Sequence, residues 1–364
     1  MSNITSSVNT SLLNAIVNST ADDATTPNFP AISTTIVFIL SVSANILVLY
    51  LFYRISNLTK KPFNVFMLNL IITDFIYCVW ENAFDIGINF YPGYWKTRNS
   101  AICSVYIYSN YLLQAATCNA HLLITLNRLW AILFPHSYKT NQKVSVFVGI
   151  CGIKWAYLHV VMMPGFVNDH LYYRKDVTIN GCFINLEAQP TWNVTMIFLL
   201  FIVPLCVMVV AFPFIFYKHR VRQNELRRLR PSPNSNTNTA TLQKAISKAA
   251  VTSENITLKE PQTAEQTEGK AIDTRKSETS KANSQPILIL TLLTLSATIC
   301  WTPNFIVYTY YTFVPFPDDL TIFSVVTFLY SIQLLMDPIL FIVALNDLRA
   351  AFFQLFTTKG FILK

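Results

Sequence analysis

The chain has 364 residues and a net charge of +8 at pH 7; 52% of its residues are hydrophobic, 13% are charged, and its mean hydropathy is +0.40. Soluble chains carry about 25% charged residues, so this composition excludes an ordinary soluble domain and suits one lipid-embedded bundle with tails. The basic residues gather in a few loops without an aromatic-basic motif, which argues against nucleic acid, and no Ser/His/Asp, metal or phosphate-loop constellation points to an enzyme.

Residues 1–30 contain no Lys or Arg and carry sequons at Asn3, Asn9 and Asn18, the pattern of an extracellular glycosylated tail rather than a cleaved signal peptide. Apolar stretches follow at Ala31–Tyr53, Pro62–Phe90, Ser100–Phe134, Val144–Val167, Thr191–Tyr217, Gln285–Thr312 and Leu320–Leu345. A membrane-spanning helix needs about 20 apolar residues, and lipid accepts only helices or closed barrels. The expected fold is therefore an all-α membrane protein, a seven-transmembrane helix bundle over 31–345. Asn346–Phe356 reads as a short amphipathic eighth helix, with Phe352, Phe353 and Phe356 at the interface and Asp347 and Arg349 in water; 346–364 forms this helix and a tail. Residues 218–284, rich in Ser, Thr, Asn, Lys and Glu, are expected to be a largely disordered cytoplasmic loop, its start at Lys218–Arg230 extending the fifth helix. Lys and Arg concentrate in alternate loops, which places the N-terminus outside and the C-terminus inside.

Polar residues inside a membrane are costly and mark function. In the second span Asp74, Glu81 and Asp85 fall within about 20° of one another at 100° per residue, so these carboxylates face the bundle interior. In the third, Asn110, Gln114, Thr117, His121, Thr125 and Arg128 form one stripe at helical period. Gln333 and Asp337 share a face of the seventh span, and Trp301, Asn304 and Tyr308 a face of the sixth. Pro164, Pro204, Pro303 and Pro338 are kink or hinge positions. Of the cysteines, only Cys103 and Cys182 lie near span ends or in a loop; if both face the oxidising side they form one disulfide.

Each span also carries a landmark: Asn45 in SANILV, Asp74 in LNLIITD, Arg128 in NRLW, Trp155, Pro204 in FIVPLC, CWTP at Cys300–Pro303 and DPILF at Asp337–Phe341. In this order they resemble the rhodopsin-like (class A) G-protein-coupled receptors, with Gly93–Trp95 and WTPNFIV closest to the amine and muscarinic-type members. The resemblance implies a plasma-membrane, multi-pass receptor that turns an extracellular ligand into activation of a heterotrimeric G protein. It implies a Cys103–Cys182 disulfide, an allosteric sodium ion at Asp74, Thr117 and Asp337 as the sole cofactor, and G-protein coupling at Asn127, Arg128 and Leu129. It also implies switch roles for Pro204, Trp301, Pro303, Asp337, Pro338 and Phe341. Membrane lipids are further partners.

The chain departs from the family pattern in ways that bear on activation. Asn127 stands where an acid normally pairs with the Arg, Phe212 and Phe341 where tyrosines are usual, and Ala297 where a switch Phe lies. A shifted basal equilibrium is expected, with a constitutively active or non-signalling receptor as an alternative. Asn110 replaces the Asp that holds an amine's ammonium group. Asp85, with Glu81, is then the expected anchor for a small cationic ligand or a peptide's basic group, the competing reading being internal neutralisation. Tyr111, Gln114, Trp80, Trp301, Asn304, Phe305 and Tyr308 complete the expected pocket. A neuropeptide-type receptor stands beside the amine reading; a carrier or channel would use the same stripes but lacks the internal repeat. The seventh span has no Lys, which rules out a retinal Schiff base there.

Overall fold

The structure, a computed structural model, describes residues 29–91, 93–97, 100–228, 292–311, 313–314 and 321–357. Asn3, Asn9, Asn18, residues 229–291, which hold most of the expected cytoplasmic loop, and residues 358–364 lie outside the described residues.

Among the described residues, eight helices follow the hydrophobic pattern. They are α1 (Phe29–Arg54), α2 (Pro62–Phe90), α3 (Ser100–Leu133), α4 (Val144–Asn168), α5 (opening at Pro190–Ile197), α6 (residues 292–310), α7 (Thr321–Ala344) and α8 (Asn346–Thr357). Proline marks several starts. Pro62 and Pro190 occupy the first turn, where a missing N–H removes no intrahelical bond. Pro30 has the same freedom, so α1 opens at Phe29, inside the stretch read as tail.

Two further helices differ from the sequence expectation. Beyond α4 the chain does not enter a loop at Val167 but runs on through a π-helical turn, Asp169–Tyr173. Asp169 is buried there against Arg174, which removes the reason for an acid to end the helix. The expected single helix α5 has three parts: Pro190–Ile197, a π-helical turn Phe198–Ile202, and Val203–Arg228.

Among the described residues, five stretches are long and apolar enough to cross a membrane: Ile32–Arg54, Pro62–Ile88, Val144–Tyr173, Pro190–Lys218 and Val325–Ala344. α3 is long enough, but its inward polar stripe lowers its hydropathy. The chain is a multi-pass membrane protein. Its apolar exterior fits this: Ile36, Ile39 and Ile46 on α1 and Ile153, Val160 and Val167 on α4 are exposed.

The interior divides into two hydrophobic clusters. One gathers Tyr77, Trp95, Ile107, Leu113, Met162, Leu200, Trp301 and Tyr330 and includes Cys103 and Cys182. The other gathers Leu51, Phe66, Leu70, Ile124, Phe147, Phe341 and Leu348. α1 packs on α2 and α7, and α3 on α2 and α4. Phe214–Gln285 forms a separate unit from the rest of the chain. In its described helical part Lys218 lies over the Phe214 ring and Arg220 over Phe216, cation–π pairs at the spacing of one helical turn.

Candidate functional site

A pocket opens between α3, α5 and α6, lined by Asn110, Tyr111, Gln114, Ile197, Phe201, Asn304, Phe305 and Tyr308. Its polar groups converge: Gln114 donates to Asn110 Oδ1 at 2.7 Å and reaches Tyr77 Oη at 3.5 Å. Phe201 and Phe305 pack with ring centroids 5.0 Å apart.

The α2 acids stand beside this cavity rather than in its lining. Glu81 is fully buried, and neither carboxylate oxygen has a hydrogen-bond partner. Asp85 is only half-buried; its Oδ1 accepts from Tyr106 Oη at 3.1 Å, and Tyr308 of the cavity lies within its electrostatic reach. Trp80 faces outward and donates to Ser109 Oγ at 3.0 Å. One residue before Glu81, it is turned by a full 100° step from the acidic stripe.

Trp301 does not line the cavity but lies buried beneath Phe305, the ring centroids 6.5 Å apart. It meets His121 edge-on at 4.9 Å. Below them is a polar centre in which Asp74, Thr117, His121, Gln333 and Asp337 are all buried. Thr117 donates to Asp74 Oδ1 at 3.1 Å, while Asp74 Oδ2 has no partner. His121 Nε2 lies 2.9 Å from Asp337 Oδ2, and Gln333 Nε2 donates to Asp337 Oδ1 at 2.6 Å. Lys154 of α4, also buried, contacts Asn69 Oδ1 and the Ala116 carbonyl at 3.5 and 3.4 Å and feels the field of Asp74.

Towards the far end of α3, among the described residues, Arg128 makes no ion pair. Its guanidinium lies 3.6 Å over the Phe63 ring, and its Nε is buried without a partner. Asn127 turns away, donating to Tyr138 Oη at 3.5 Å, and Leu129 is half-buried. Of the switch positions, Pro204 opens the last part of α5, Pro303 lies in α6, Pro338 is buried inside α7, and Phe341 is fully buried.

At the other end, a cap covers the bundle. Cys103 and Cys182 are disulfide-bonded, with Cα atoms 5.6 Å apart. Asp169 pairs with Arg174 through one oxygen and accepts the Asn185 amide at 2.8 Å through the other. Phe84, Trp95 and Tyr106 pack together under it, with Trp95 and Tyr106 centroids 5.3 Å apart.

Sequence reasoning passed over Ile197 and Phe201, because an unbroken apolar run has no polar residue to show which face turns inward. It also passed over Lys154, although a lysine amid apolar residues is a signal in its own right.

The description "7 transmembrane receptor (rhodopsin family)" belongs to the family model that matches residues 44–341. Human proteinase-activated receptor 3 is 28% identical over 51% of this chain and 52% of its own length. Cholecystokinin receptor type A from Rattus norvegicus is 27% identical over 49% of this chain and 40% of its own. Muscarinic acetylcholine receptor M3 from Gallus gallus is 24% identical over 54% and 30%. The chain spans about half the length of the curated relatives it matches.

Proposed function

This chain belongs to the rhodopsin family of seven-transmembrane receptors, and from that premise we propose that it is a plasma-membrane receptor, N-terminus outside, that answers an extracellular ligand by activating a heterotrimeric G protein. The pocket between α3, α5 and α6 carries the reading: it is lined by both polar and apolar side chains, with the buried Trp301 behind Phe305. Agonist binding biases the bundle towards an open form that a G protein stabilises. Arg128, held by an aromatic face rather than an acid, is the group released to it.

The ligand carries a positive charge, as a small amine or as the basic group of a peptide. Asn110 and Gln114 supply hydrogen bonds but no charge, and Asp85 is the accessible acid beside Tyr308. Relatives named for cholecystokinin and for acetylcholine are compatible with either ligand form.

A panel of amines and basic peptides, read by nucleotide exchange on added G protein, tests the reading; a chain that stimulates no exchange with any of them is not such a receptor. For an agonist found this way, Asp85→Asn lowers potency about 10- to 100-fold, the worth of a charge-assisted bond, and Asp85→Glu recovers part of it. Unchanged potency in Asp85→Asn removes the anchor while leaving the receptor.

A further inference from the structure

Arg128 is a cation without a carboxylate. Among the described residues no acid pairs with it, and Asp347, the acid at this end of the bundle, is engaged by Lys61. Asn127, its neighbour in α3, carries no charge and donates to Tyr138 Oη at 3.5 Å. What meets the guanidinium is a ring. Its Cζ lies 3.6 Å from the centroid of Phe63, and its Nε is buried with no hydrogen-bond partner. The face of a phenyl ring is electrically negative, so a cation laid over it is attracted at short range. Arginine suits the contact because its planar group can stack on a ring.

The ring is fastened in its place. Pro62 opens α2 and Phe63 follows it, in the first turn of the helix. The Asn64 side chain donates to the Leu58 carbonyl at 2.8 Å, which ties that turn to the short helix Ser56–Thr59. Lys61, through Asp347, ties it to α8. Phe63 itself packs against the hydrophobic cluster that includes Phe66, Ile124 and Phe147. The contact therefore joins a long, adaptable side chain on α3 to a fixed platform on α2.

We propose that Phe63 is the positioning residue that holds Arg128 in the closed bundle and, on the reading of the chain as a G-protein-activating receptor, sets its basal output. The ring supplies the restraint that an acid beside the arginine would otherwise give. Its hold is modest, worth about 3- to 30-fold in the balance between held and released arginine.

The test uses the full chain, labelled with ¹⁵N-arginine, in phosphatidylcholine nanodiscs. The Nε–H signal of Arg128, identified by its absence in Arg128→Lys, is expected to be moved upfield by the ring in the wild type. It returns to the ordinary arginine position in Phe63→Leu, which keeps an apolar side chain, and stays upfield in Phe63→Tyr. With added G protein, basal nucleotide exchange rises about 3- to 30-fold in Phe63→Leu and stays near the wild-type rate in Phe63→Tyr. Phenylalanine with one, two or three ring fluorines at position 63 keeps the shape and weakens the negative face. Exchange then climbs stepwise along the series, which a ring that merely packs would not produce, and the series serves if the leucine variant does not fold. An Arg128 signal that is the same in wild type and Phe63→Leu overturns the proposal. So does measurable exchange that is equal in those two forms, or flat along the fluorinated series. If no form stimulates exchange while the Arg128 signal follows the ring as expected, the receptor reading fails and the placement of Arg128 by Phe63 stands.

Discussion

The cap and the polar centre are built from the same materials, acids and bases buried in a bundle, yet they are finished differently. In the cap, Asp169 has a partner on each oxygen, and a disulfide ties α3 to the loop that carries Asn185. In the centre, Asp74 Oδ2, Gln333 Oε1, Tyr330 Oη and Trp301 Nε1 are all buried without a hydrogen-bond partner. A fully satisfied network rigidifies one arrangement, and a partly satisfied one specifies it less firmly. The cap is thus the more firmly fixed of the two.

The sharpest way to break this contrast is Arg174→Ala. It strands Asp169 as a buried charge and should cost about 3–5 kcal/mol, read as a loss of surface expression or of thermal stability; a near-silent change would mean the cap is not the frame. Second comes Gly165→Val, in the same outer half. A Cβ at Gly165 would sit 2.0 Å from the Trp192 ring, and Trp192 is itself tied by its indole N–H to the Val161 carbonyl at 3.2 Å. Overpacking there should cost about 1–3 kcal/mol, checked by thermal unfolding. In the centre, Thr117→Val removes one 3.1 Å bond to Asp74 and should cost about 1–3 kcal/mol, while changing basal nucleotide exchange. A stability loss as large as that of Arg174→Ala would erase the distinction.

The smallest effect lies at the cap's rim. Asp176 caps the short helix Val177–Asn180, its Oδ1 accepting the Thr178 amide at 2.9 Å and hydroxyl at 2.7 Å. These bonds hold its carboxyl below the usual carboxylate range. Their contribution is therefore present at neutral pH and disappears as pH falls through that lowered value. The protection of the Thr178 amide against hydrogen exchange, taken relative to the intrinsic rate at each pH, should fall in acid, with no change in the polar centre.

Much of this was legible in the sequence because lipid makes periodicity unambiguous. The stripe from Asn110 to Arg128 could face only inward, and α2 ran over the expected residues, Pro62 to Phe90. Asn110, Tyr111, Gln114, Asn304, Phe305 and Tyr308 line one cavity because each shares a helical face with a marked polar neighbour. Pairings between helices were less accessible. Asp169 and Arg174 read as loop charges, since nothing local shows that the chain folds them inward. The stack of Arg128 on Phe63 and the bond from His121 to Asp337 join residues far apart in the chain, and helical period alone does not fix such partners.

The π-helical turn at Phe198–Ile202 has a consequence for how such a protein diversifies. A wide turn absorbs one surplus residue without handing the full 100° rotation to the rest of the helix. Ile197 and Phe201, which meet the cavity, are thereby phased separately from residues 203–213. A single insertion or deletion inside that turn would exchange which side chains a ligand encounters on α5 while Pro204 and its successors kept their facing. Recognition could then drift by indel, a change that an uninterrupted helix would carry along its whole length.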